Sequence, residues 1–138
     1  MEKEPLGLLL YGYNRKHADI IVRRLREVLG DEIMLMSASN REDETVGDIL
    51  GSVDEGGFTF EERETRFAML LGFSEPHIRT TLKEFPADGG LKRPIFTTLT
   101  ENNVKWPVSR LIEDLEEEEA YWAKKRKEAA EAKAGGQE

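Results

Sequence analysis

The chain has 138 residues, with 28 Asp and Glu against 20 Lys and Arg, a formal net charge of −8 and no cysteine. That length suits one domain with a single core and a solvated appendage. The missing cysteine excludes disulfides, thiolate catalysis and thiolate metal sites, and the acid excess repels phosphate backbones and anionic lipid, so neither nucleic acid nor a membrane is an expected partner.

The N-terminal apolar run Leu6–Leu10 is too short for a secretory signal, and no stretch approaches the roughly 20 apolar residues that span a bilayer, so a cytoplasmic protein is expected. Leu6 to Tyr11 is continuous apolar sequence between Pro5 and Gly12, the pattern of a strand buried on both faces. Asn14 can cap the helix that follows, in which Ala18, Ile21, Val22, Leu25, Val28 and Leu29 recur at helical spacing up to Gly30. Ile33 to Met36 reads as a second strand. After a polar loop, Val46, Ile49, Leu50 and Val53 mark a helix weakened by Gly47 and Gly51. The segment Asp54 to Glu64, with Gly56-Gly57, is the expected linker, with Phe58 and Phe60 tucked against the core.

The pattern then restarts. Phe67 to Leu71 is a third strand, and Ser74 caps a helix with Ile78, Thr81, Leu82 and Phe85 inward that ends over Pro86 to Gly90. Pro94 to Leu99 is a fourth strand, which Pro94 can only begin. Trp106-Pro107 opens a last helix with Val108, Leu111, Ile112, Leu115 and Trp122 on one side, freed at its end by Gly135-Gly136.

An offset of 60 residues lays Gly12 on Gly72, Asn14 on Ser74 and His17 on His77; it drifts to 63 at Ser37 and Asn40, which meet Thr100 and Asn103, and to 62 in the last helices. Each half is therefore β-α-β-α, the signature of an internal repeat. The expected architecture is a four-stranded, largely parallel α/β sheet with helices on both faces; the alternative is a ferredoxin-like α+β arrangement. One domain over residues 1–122, with halves about 6–53 and 67–115, would carry a charged helical tail over 123–138.

In a parallel sheet, ligands bind beyond the carboxyl ends of the strands, and the repeated polar residues all fall there. Gly12, Tyr13 and Asn14, like Gly72, Phe73 and Ser74, end a strand and open a helix, where free N–H groups can hold an anion. The same residues serve a helix that merely needs a tight turn and a cap. Thr100 and Asn103 are ambiguous in the same way, Trp106 is expected to pack as a lid, and His17 and His77 without a carboxylate make a poor metal site. No P-loop, GxGxxG, GxSxG or HExxH pattern is present, and no cofactor is expected.

Met69-Leu70-Leu71-Gly72-Phe73, then Thr100-x-x-Asn103-x-x-Trp106, then Leu111, Leu115 and Glu118-Glu119 carry a resemblance. From about Phe67 to Glu119 the chain resembles a bacterial family known only as a domain of unknown function, numbered 3783. The resemblance implies a small bacterial α/β domain and no particular activity. The first half keeps Ser37-x-x-Asn40 but has Asp43 where Trp106 stands.

The last helix segregates its charge, with acids from Glu113 to Glu119 and bases from Lys124 to Lys127. Such a helix is either a solvated end or a docking arm that can pair with its own copy. Two functions follow as expectations. The first is a non-catalytic binding or regulatory module that uses the carboxyl edge of the sheet or this helix to contact a protein partner, or self-associates through the helix; the alternative is a small-anion-binding protein or enzyme using the glycine turns.

Overall fold

Two apolar runs, one from each half, lie side by side at the centre of the sheet. A computed structural model describes residues 5–87 and 90–135. Its elements are β1 (Leu6–Tyr11), α1 (Arg15–Leu29), β2 (Ile33–Ser37), α2 (Val46–Gly51), β3 (Phe67–Leu71), α3 (Glu75–Glu84), β4 (Ile95–Thr98) and α4 (Val108–Gly135), with 3-10 turns at Val53–Glu55 and Asn103–Lys105. The expected free end at Gly136 and residues 88–89 of the Pro86-to-Gly90 stop lie outside the described residues.

The strand order is β2-β1-β3-β4. β1 pairs with β2 in parallel and β3 with β4 in parallel, but β1 and β3 are antiparallel. The sheet is therefore mixed, which corrects the expected largely parallel arrangement. The ferredoxin-like alternative fails as well, because the two strands of each βαβ unit are direct neighbours rather than interleaved with the other half.

Helix length explains the reversal. β1 spans six residues, roughly 20 Å of strand, and α1 with its 15 residues has the roughly 22 Å of rise needed to return the chain for a parallel neighbour. α2 has six residues, a rise of roughly 9 Å, and cannot do so. The chain instead comes back along residues 58–66 over the end where β1 finishes, and β3 starts there.

Helices do cover both faces. Leu6, Leu8, Leu10, Ala68 and Leu70 face α1 and α3, joined by Ala18, Ile21, Leu25 and Phe85. Leu9, Tyr11, Phe67 and Met69 face α2 and α4, joined by Val46, Ile49, Val108, Leu111 and Leu115. Phe60 packs against the first layer and Phe58 against the second, so the linker phenylalanines are tucked in.

The contacts between halves are self-matching. Gly7 pairs with Leu71 and Tyr11 with Phe67, so an offset of 60 carries the β1·β3 register onto itself about the Leu9↔Met69 pair. On the α2/α4 face, Thr45 bridges Pro107. Around that bridge, the Val46 N–H donates to the Trp106 carbonyl at 3.0 Å and the Val108 N–H to the Glu44 carbonyl at 2.9 Å, equivalent bonds at an offset of 62. Arg24 and Glu84, themselves 60 apart, form a 2.7 Å ion pair across α1 and α3.

Candidate functional site

Because β1 and β3 run in opposite directions, the carboxyl ends of β1 and β2 lie at one end of the sheet and those of β3 and β4 at the other. Gly12, Tyr13, Asn14 and His17 are thus separated from Gly72, Phe73, Ser74, His77, Thr100 and Asn103, and the two glycine turns share no crevice. His17 and His77 stand at opposite ends. Among the described residues, no group of three or more His, Asp or Glu side chains is placed to hold a metal ion.

At the Gly12 end the chain has used its own polar groups. Gly12 has φ +88°, its carbonyl accepts from the Arg63 N–H at 3.0 Å, and a Cβ there would stand 2.4 Å from the Thr65 carbonyl oxygen. Asn14 Oδ1 accepts from the His17 N–H at 2.8 Å and caps α1. The Thr59 hydroxyl donates to the Ser39 carbonyl, and the Glu61 N–H to the Ser39 hydroxyl oxygen. Tyr13 is buried, its hydroxyl donates to the Lys92 carbonyl, and desolvation pushes its phenol far above the usual range despite Arg66 and Arg93 nearby. Burial also raises the Tyr11 phenol, which donates to Glu42 Oε2 at 3.0 Å. Arg63 bonds both Asn40 and Glu61, and holds the Glu61 carboxyl below its ordinary range. Segment 58–66 thus lies across this end.

The Gly72 end is more open. Gly72 has φ +75°, and the nearest atom to a Cβ there is Leu6 Cδ2 at 3.9 Å. Ser74 caps α3, its hydroxyl oxygen accepting from the His77 N–H at 3.3 Å while His77 Nδ1 accepts from the Ser74 N–H at 3.2 Å. His77 Nε2 lies 3.2 Å from Asp31 Oδ2, and the Phe73 ring meets the imidazole edge-on. Ser74, His77 and Asp31 are the residue types of a nucleophilic triad, and Asp31 was not apparent as their neighbour from its place in the sequence. A triad needs the free imidazole nitrogen on the serine hydroxyl. Here that nitrogen is on the serine amide, so the set caps a helix and ties α3 to the turn before β2.

Thr100 and Asn103 close on each other. Asn103 Oδ1 accepts from the Thr100 N–H at 2.8 Å, the Thr100 hydroxyl accepts from the Asn103 N–H at 2.9 Å, and Asn103 Nδ2 donates to the Thr98 carbonyl at 3.0 Å. Trp106 packs partly buried against the α2/α4 core layer, with the Arg110 guanidinium 4.4 Å from its ring centroid.

A wide concavity lies elsewhere, along the outer edge of β4. It is a groove of about 1120 Å³ between α3 and α4, with Leu82, Phe96, Arg66 and Arg93 on the domain side and Leu115 and Trp122 on α4. Leu82, expected inward on α3, is 39% exposed here. The outer edge of β4 is short and partly occupied. Ile95 donates inward to the Arg66 carbonyl, Pro94 has no N–H, and Thr98, whose turn it is to face outward, has its carbonyl taken by Asn103.

α4 forms one wall and then leaves the domain. Its last buried residue is Leu115, and residues 116–132 are all exposed. Trp122, expected on the core side, is 51% exposed and Tyr121 53%, their rings edge-to-face at 5.3 Å. Thr65 anchors the exit by donating to Glu116 Oε2 at 2.7 Å. Beyond it the helix projects roughly 30 Å. This arm is the charged helix whose sequence fits either a solvated end or a docking arm. Its signal was the length of charged helical sequence past Leu115.

Among the described residues, no helix is long and apolar enough to cross a membrane. No curated protein and no solved structure matches this chain. Residues 66–122, which run from the residue before β3 to Trp122 on the arm and make up less than half the chain, match the family described as a domain of unknown function, DUF3783.

Proposed function

We propose that this chain is a non-catalytic protein-docking module of the cytoplasm, that its binding surface is the β4-edge groove together with the α4 arm, and that its halves are copies of one βαβα unit. The observation that carries the docking reading is the arm, a long exposed helix holding Tyr121 and Trp122 in solvent beside an open groove. Helices gain most of their stability from packing, and isolated ones shorter than about 12–15 residues are marginal even with good composition. An arm with consecutive like charges and two aromatic side chains gains stability from a partner. The copy reading is supported by the β1·β3 register and by the paired bonds at Val46 and Val108.

Small-anion binding remains the second reading, favoured by the open turn at Gly72. Thermal-shift measurements with phosphates, nucleotides and carboxylates separate the two. The docking reading expects no anion to raise the midpoint, whereas stabilisation by one anion that Ser74→Ala abolishes selects the second. The docking surface itself is tested with a photo-crosslinking residue at position 122 of the full chain. Irradiation in the producing cells should give a protein adduct, and the same residue at Arg23 on α1 should give none. No adduct at position 122 overturns the reading.

A further inference from the structure

The acidic block of the arm, Glu116 to Glu119, has no base at ordinary helical spacing, whereas Lys125 in the basic block pairs with Glu128 at 3.9 Å. Within a helix, side chains meet three and four residues apart. Three and four residues on from Glu116, Glu117, Glu118 and Glu119 stand only Glu119, Ala120, Tyr121, Trp122 and Ala123, and no base. The one ion pair between the blocks, Arg126 to Glu119 at 3.3 Å, reaches across seven residues and is exposed at both ends. The four glutamates are thus stacked along one helix without a counter-charge three or four residues away.

The order of those residues is antisymmetric. Read outward from the Tyr121–Trp122 bond, Tyr121 answers Trp122, Ala120 answers Ala123, and Glu119, Glu118, Glu117 and Glu116 answer Lys124, Lys125, Arg126 and Lys127. A segment of this kind is complementary to itself when reversed. An antiparallel pair of arms related by a two-fold axis sets the acidic block 116–119 of one beside the basic block 124–127 of the other and brings the aromatic rings of both together at the axis, an isologous contact. The apolar stripe agrees, since Val108, Leu115, Trp122 and Ala129 recur every seven residues and carry the core-facing side of α4 out into the arm. In the same register, Glu128 and Glu131 of a second copy fall beside Leu115 and Ile112, at the mouth of a groove bearing Arg66 and Arg93.

We infer that the occupant of the docking surface is a second copy of this chain, its α4 arm lying antiparallel to the first about the Tyr121–Trp122 bond. This rests on the docking reading above and names its partner. The test is a charge exchange, applied to the full chain and read by light scattering. One variant carries Glu116→Lys, Glu117→Lys, Glu118→Lys and Glu119→Lys; the other carries Lys124→Glu, Lys125→Glu, Arg126→Glu and Lys127→Glu. All eight positions are exposed, and circular dichroism checks that the domain is intact.

The unaltered chain is expected to be a dimer that weakens about tenfold or more between roughly 0.1 M and 1 M salt, as screening shortens from about 10 Å to 3 Å. Each variant alone is expected to be a monomer, and a mixture of the two a one-to-one heterodimer. A monomeric unaltered chain, or variants that still form homodimers, overturns the inference. The crosslinker at position 122 separates this failure from that of the docking reading. An adduct of twice the chain's mass supports self-pairing, an adduct of any other mass overturns it while leaving a docking module, and no adduct overturns both.

Discussion

Gly12→Ala and Gly72→Ala make a matched pair that isolates the cost of the chain crossing its own sheet end. Both glycines have positive φ, +88° and +75°, and both end a central strand. An alanine in such a conformation costs about 1–2 kcal/mol at either site. At Gly72 nothing more is added, because the closest atom is a leucine methyl at 3.9 Å. At Gly12 the new Cβ would stand 2.4 Å from the Thr65 carbonyl oxygen and 2.8 Å from Arg66 Cγ, and a carbonyl cannot swing aside as a side chain can. Relieving that overlap means moving segment 58–66 off the end of β1, with strain of about 1–3 kcal/mol. Weakening the 3.0 Å bond from the Arg63 N–H to the Gly12 carbonyl costs about 1 kcal/mol more. The expected losses are about 1–2 kcal/mol for Gly72→Ala and about 3–6 kcal/mol for Gly12→Ala, measured by urea unfolding at neutral pH. Equal midpoints for the two variants would refute the claim that Gly12 is held by a backbone crossing.

Tyr13 carries a pH prediction. Burial raises its phenol pKa, so the unfolded chain loses that proton from about pH 10 while the folded one keeps it; the stabilisation is complete below pH 10 and falls as pH rises beyond it. Tyr13→Phe should cost about 1 kcal/mol at neutral pH, by loss of the bond to the Lys92 carbonyl, and should lessen the alkaline decline in an unfolding series; an unchanged decline would contradict it. Asn103→Ala removes the acceptor for the Thr100 N–H and the donor to Thr98, and should lower stability by about 1–3 kcal/mol in the same assay, while Thr100→Val, which leaves the Asn103 side-chain bonds, should cost less. The Glu44 carboxyl is held below its ordinary range by Arg41, so its stabilising pairing persists at neutral pH and is lost as pH falls through the lowered value; Arg41→Gln should return its carbon-13 titration to the ordinary range.

The elements were largely legible because their causes are local. Leu6 to Tyr11 and Phe67 to Leu71 read as doubly buried strands and are so, Asn14 and Ser74 cap the helices they precede, and Pro94 stands before β4. The direction of β3 was not legible in alternation, since each βαβ unit reports only the crossover inside its own half. The relation between halves depends on how far α2 carries the chain, and Gly47 and Gly51 within it were the signal that it is short. The polar residues were placed correctly at the carboxyl ends of their strands. They divide into two groups because those ends are opposite, and Gly12 owes its place to a backbone crossing that joins residues far apart in sequence. Trp122 fits the helical stripe of α4, yet the stripe outlasts the sheet beneath it, which ends at Leu115.

The account turns on whether the arm has a partner, and the amide hydrogens of residues 116–132 report that directly. They should exchange quickly in dilute full-length protein at low salt, as in an isolated helix, and slow markedly as the protein is concentrated, while those of β1 and β3 stay protected throughout. Exchange from the arm that is equally fast at every concentration, in a chain whose sheet is intact, would contradict pairing of the arm with a second copy.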